Sequence, residues 1–161
     1  MALLRKVVEY IYQTGGTCAI AEGANGYLEE NLIASGFGNM LNRHDIKVVD
    51  VDLEDCDEVE VYGECHYIPK CFKDYAIRIA MPSASKRKDM LYSNNIKLFF
   101  GAVPRRMYQP DGADMTEQHG PRIKLHDNLQ PSVANMLAAI QNYSEFQLFV
   151  NGGSFYNEKQ R

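Results

Sequence analysis

At 161 residues the chain has the length of one ordinary domain, enough to bury most of the surface that its unfolded form exposes. Its 45% hydrophobic and 24% charged content excludes a disordered chain and a fibrous repeat. The formal net charge of −4 argues against general nucleic-acid binding, and no apolar run reaches the roughly 18 residues of a membrane helix.

Leu4, Val7, Val8 and Ile11 recur at the spacing of one helix face, and Gly15-Gly16 supplies the stop, so the first element is a helix over Leu3 to Gln13. Arg5, Lys6 and Glu9 interrupt any signal-peptide core, which places the protein in the cytoplasm. Thr17 to Glu22 reads as a short apolar strand ended by Gly23-Ala-Asn-Gly26. Short helices are expected from Tyr27 to Ala34 and from Gly38 to Arg43. Ile46 to Leu53, rich in β-branched residues, is the second strand.

Val59 to Tyr62 and His66 to Ile68 alternate around Gly63 as a hairpin, with the turn at Gly63-Glu64. Tyr75 to Ala80 reads as a third core strand, stopped by Met81-Pro82. A helix from Asn94 to Val103 and a polar loop from Tyr108 to Leu125 follow. Pro131 then opens a helix whose apolar face is Val133, Met136, Leu137 and Ile140, and Phe146 to Val150 is the last strand.

Short strands separated by helices predict a single three-layer α/β domain over residues 1–161, with a mostly parallel sheet and helices on both faces. In such sheets ligands bind beyond the carboxyl ends of the strands. Those ends carry Glu22-Gly23, Asp52, Met81-Pro82 and Asn151-Gly152-Gly153.

At these residues the chain resembles the family known as domain of unknown function 362. The similarity runs through Gly15-Gly16, Ala21-Glu22-Gly23, Val49-Asp-Val-Asp52, Asp74-Tyr-Ala-Ile, Ile96 to Pro104, His126 and Phe149-Val-Asn-Gly-Gly153. Ile96 to Pro104 is the most specific, because the family carries a comparable lysine-to-glycine segment ahead of Val-Pro or Ile-Pro. Departures limit what the resemblance implies. Ser85-Lys-Arg87 stands where family members show Lys-Thr-His, Leu98 where they show asparagine, and Asn151-Gly152 where they close on Asp-Gly. Relative to the family the chain also reads as shortened at its opening strand and at its C-terminal end, so self-association or a partner chain is expected to cover the sheet. Many family members are linked to iron–sulfur ferredoxin modules; this chain has no such cysteine run, and no cofactor is expected. The resemblance implies fold more than activity.

Charge is bipolar along the chain. Asp50, Asp52, Glu54, Asp55, Asp57, Glu58, Glu60 and Glu64 form an acidic stretch without a Lys or Arg, and Lys86, Arg87, Lys88, Lys97, Arg105 and Arg106 form a basic one with the single acid Asp89. Clustered Lys and Arg raise the local potential, and Arg grips carboxylate or phosphate through two hydrogen bonds. The same stretches equally read as solvated faces that balance one another.

Cys56, Cys65, His66 and Cys71 are close in sequence but lack zinc spacing, and Cys65 and His66, adjacent on a strand, point to opposite faces. No metal site is expected. Without a secretion signal, reduced thiols are expected for all four cysteines, Cys18 included. Gly23 to Gly26 matches neither dinucleotide nor Walker glycine patterns and reads better as a plain turn, with Glu29 and Glu30 repelling a phosphate. His119 and His126 are either exposed or candidate proton donors.

The leading expectation is a domain binding a small anionic ligand through Lys97, Arg105 and Arg106, with Glu22, Asp52 and Asn151 at the strand ends. The alternatives are a redox-linked enzyme using Lys97 and His126 as acid–base groups, and a non-catalytic assembly subunit.

Overall fold

The computed structural model describes residues 2–84, 95–109, 122–126 and 128–153. Helix α1, Ala2–Gln13, leads into strand β1, Ala19–Glu22. Two short helices, α2 (Leu28–Ala34) and α3 (Gly38–His44), separate β1 from β2 (Lys47–Asp50). β1 and β2 pair in parallel, with Ile20 opposite Val48 and Glu22 opposite Asp50.

Alternation along this pair sorts its side chains between two apolar clusters. Ile20, Val48 and Ile46 join Val8 of α1, Leu28 and Leu32 of α2, and Phe37, Met40 and Leu41 around α3. Ala19, Val49 and Val51 join the larger cluster. That cluster is centred on Phe99 and Phe100 of α4 (Asn95–Gly101) and on Val133, Met136, Ala139 and Ile140 of α6 (Leu129–Tyr143). Pro131 lies in the first turn of α6, two residues inside its start, where a missing N–H breaks no helical bond.

β3 (Cys56–Val61) and β4 (Glu64–Pro69) form an antiparallel hairpin, longer than expected. Its turn is Tyr62-Gly63, not Gly63-Glu64: both residues have positive φ, 52° and 77°, the backbone of the two-residue turn that matches strand twist. α6 packs across the hairpin, where Tyr143 Oη donates to Asp57 Oδ2 at 2.6 Å and Asn135 Nδ2 donates to Glu64 Oε2 at 2.9 Å.

The third core strand is shorter than Tyr75 to Ala80. A 3-10 turn covers Lys70–Asp74, and β5 is only Ile79–Ala80. Arg78 explains this: its guanidinium donates to the carbonyls of Phe72, Tyr75 and Glu145, and its amide donates to Gln147 Oε1, so side chains hold the segment where a ladder would otherwise run. β5 pairs in parallel with β7 (Leu148–Phe149), and β6 (Ser83–Ala84) with β8 (Gly152–Gly153). Bonds from Val150 N to Ala80 O and Gly152 N to Pro82 O join the two short ladders into one interrupted parallel pair. A helix α5, Ile123–His126, overlaps the end of the stretch expected to be loop.

Mixed helices and strands are thus present, and the described residues contain both parallel and antiparallel strand pairs. The expectation of one shared sheet is corrected: among the described residues β1–β2 and β5–β7 are separate two-stranded pairs. Among the described residues no helix is long and apolar enough to cross a membrane.

Candidate functional site

β1 ends at Glu22, and the chain turns through Gly23 to Gly26 into α2. This turn is held by two carboxylates from the end of β2. Asp50 accepts from the amides of Ala24 (3.1 Å) and Gly26 (2.6 Å), and Asp52 Oδ2 accepts from the amide of Asn25 (3.0 Å). An anion-shaped nest of backbone amides therefore exists, but it is filled by the protein's own carboxylates. Asp50 also accepts from the amide of Asp52, which curls Val51 to Leu53 into a turn and ends β2 early.

Asp52 is the hub. It is 2% exposed, and its Oδ1 accepts from the amide of Arg105 at 2.7 Å and from Arg122 Nη2 at 3.3 Å. Arg122 also donates to the carbonyl of Val103, at 3.0 Å from Nε and 2.8 Å from Nη2. Burial pulls the Arg122 guanidinium below its usual range, and the Asp52 charge opposes that pull. Gly23 is required at this crossing, because a Cβ there would lie 2.7 Å from Arg122 Nη2, 2.7 Å from the carbonyl oxygen of Gly101 and 3.1 Å from Asp52 Oδ2.

Beside this hub lies a cleft of about 490 Å³ at the carboxyl end of β1. Glu22, Gly23, Ala24 and Asn25 form one wall, residues of α2 including Glu30 and Asn31 the other, and Arg105 closes it. Arg105 is only 6% exposed. Glu22 is reachable by solvent, yet the surrounding walls and then the charge of Asp50 push its carboxyl above the ordinary glutamate range. Among the described residues the Glu22 carboxylate has neither a hydrogen bond nor an ion pair.

The six strand-end and basic-segment residues separate. Glu22 and Arg105 both line the cleft. Asp52 lies behind it, with its carboxylate committed to protein donors. Arg106 points the other way, donating to the carbonyls of Asp52 and Glu54, and clamps the β2–β3 connection. Lys97 sits half-buried on α4 and does not line the cleft. Asn151 is exposed between β7 and β8, in the interruption of the other parallel pair. His126 closes α5, and its side chain lies outside the described residues, as do Lys86, Arg87, Lys88 and His119.

Sequence reasoning misses Arg122, which falls in a stretch that reads as loop, and it misses the inward use of Asp50. The signal for Asp50 is present: two carboxylates at i and i+2 face a glycine-rich turn across a parallel pair.

The cysteines are free thiols; burial pushes Cys56 up to about 11 and Cys71 up to about 12, which keeps both protonated near neutrality. Among the described residues no three His, Cys, Asp or Glu side chains come together as metal ligands.

The model for the family described as domain of unknown function (DUF362) matches residues 1–158. The chain belongs to the DUF362 family. No curated protein and no solved structure matches it. The DUF362 match spans every segment that carried the resemblance, from Gly15-Gly16 to Gly153, and one of them, Ala21 to Gly23, contributes Gly23 and its neighbour Glu22 to the cleft wall.

Proposed function

We propose that this DUF362 domain binds a small anionic ligand in the cleft at the carboxyl end of β1, with the Arg105 guanidinium as the anion's partner. One observation carries the reading: a buried arginine closes a solvent-connected cleft of about 490 Å³, a volume suited to a small molecule. Its backbone is pinned by Asp52, which fixes the root of the side chain and so reduces the freedom that binding must remove. Removed from bulk water, an arginine–carboxylate or arginine–phosphate contact is stronger than on an open surface.

The layering supports the same place. β1–β2 lies between the α1–α3 cluster and the α4–α6 cluster, and we read this as the middle of a three-layer domain whose strand ends open on the cleft.

A thermal-shift and calorimetric panel of monocarboxylates and inorganic phosphate tests the proposal. At least one anion is expected to bind the native protein, and Arg105→Gln to weaken it by about 1.5–3 kcal/mol, the range for hydrogen bonds to charged groups. Lys97→Ala is expected to leave the affinity unchanged. Equal binding by the native protein and folded Arg105→Gln would remove Arg105 from the site.

A further inference from the structure

The cleft is not simply basic. Among the described residues its charged lining is one guanidinium, Arg105, and two carboxylates, Glu22 and Glu30. Arg105 is buried, whereas Glu22 and Glu30 are exposed residues. A ligand bearing only negative charge would gain at Arg105 and be repelled at Glu22 and Glu30, all within one cavity.

Glu22 sharpens the point. It stands opposite Asp50 in the β1–β2 register, a like-charge pair across neighbouring strands. Asp50 has its charge spread over the amides of Ala24, Gly26 and Asp52, but Glu22 has no donor among the described residues. A cation beside Glu22 would relieve this repulsion and supply the missing donor. Asn31 and Ser35 of the opposite wall add neutral hydrogen-bonding capacity without adding charge.

We infer that the ligand is a small zwitterion of amino-acid type, its carboxylate held by Arg105 and its ammonium by Glu22, with Glu30 adding to the negative field at the mouth. The inference rests on the anion-binding reading above and goes beyond it by assigning the opposite pole. An ammonium carries three donors, which suits a carboxylate with open acceptor positions; a carboxylate matches the two-pronged guanidinium. The cleft has room for a side chain as well, along Leu28 and Leu32.

Calorimetry on the whole chain with the common α-amino acids, the N-acetyl and amide derivatives of the best of them, and inorganic phosphate tests this. An amino acid is expected to bind, and removal of either pole, by N-acetylation or amidation, to weaken it by about tenfold or more, equivalent to ~1.4 kcal/mol or more. Glu22→Gln, an exposed change that spares the hub, is expected to weaken the amino acid by a similar factor and to leave or improve binding of the N-acetyl derivative. Arg105→Lys is expected to weaken both. If the N-acetyl derivative or phosphate binds the native protein as well as the amino acid does, or if Glu22→Gln changes neither, the zwitterion assignment fails while the anion site stands. If none of these compounds binds, both fail.

Discussion

The amide of Arg105 donates to Asp52 Oδ1 at 2.7 Å, a bond that joins residues 53 apart in sequence. It ties the segment after α4 to the end of β2, and through the other oxygen of Asp52 to the Gly23–Gly26 turn. One buried carboxylate therefore holds both the Gly23–Gly26 turn and the backbone of the arginine that lines the cleft.

Removing that carboxylate is expected to be costly. Asp52→Ala removes the carboxylate that accepts from the amides of Asn25 and Arg105 and that lies against the Arg122 guanidinium in a buried setting. Loss of one member of a buried pair costs about 3–5 kcal/mol. The expected result is a large fall in the urea midpoint at unchanged slope. A midpoint within error of the native value would show that the hub is not structural.

Two glycines on either side of the hub are expected to respond in opposite directions. At Gly23 an added Cβ meets the Gly101 carbonyl, which is backbone and cannot swing away, so Gly23→Ala is expected to destabilise by about 1–3 kcal/mol, the cost of overpacking. Gly101 ends α4 without a positive φ, and a methyl added there would meet nothing within 4 Å among the described residues. Gly101→Ala is therefore expected to be neutral or to stabilise by up to about 1 kcal/mol through the unfolded chain. Thermal melts of the two variants side by side decide this; the same sign for both would refute it.

A pH dependence is expected from His66. This residue of β4 is 2% exposed, neither ring nitrogen has a hydrogen-bond partner among the described residues, and Glu64 Oε2 lies 3.8 Å from Nε2. Burial lowers its pKa below the ordinary 6.5, against an opposing pull from Glu64. Between the two values the unfolded chain binds more protons than the folded one, so stability falls as the pH drops from 6.5 through the folded pKa, and is unaffected by this group above that. Because His66→Leu would break no hydrogen bond among the described residues, it is expected to cost little near pH 7.5 and to remove part of the loss on acidification. Urea midpoints for the native protein and variant at pH 7.5 and 5.5 measure it; parallel acid losses would exclude His66 as the source.

Local pattern was enough for much of the fold. The apolar spacing of Leu4, Val7, Val8 and Ile11 specifies α1, the Val133, Met136 and Ile140 face specifies α6, and the β-branched run at Val48-Val49 specifies β2, since each reports a periodicity that one element must satisfy by itself. The matched segments likewise made the family legible. Tertiary structure alone decided what the charged residues do. Asp50 and Asp52, which read as part of an acidic run, turn inward to hold amides and a guanidinium 24 to 70 residues away. Arg105 and Arg106, adjacent in sequence, take opposite fates, one closing a cleft and the other clamping carbonyls. Tyr75 to Arg78 loses its strand to a side chain bonded to Glu145, and the strands pair two and two. The reason is common to all of these: a charged side chain is placed by whichever distant donor or acceptor folding brings within about 3 Å, and no local periodicity encodes that partner.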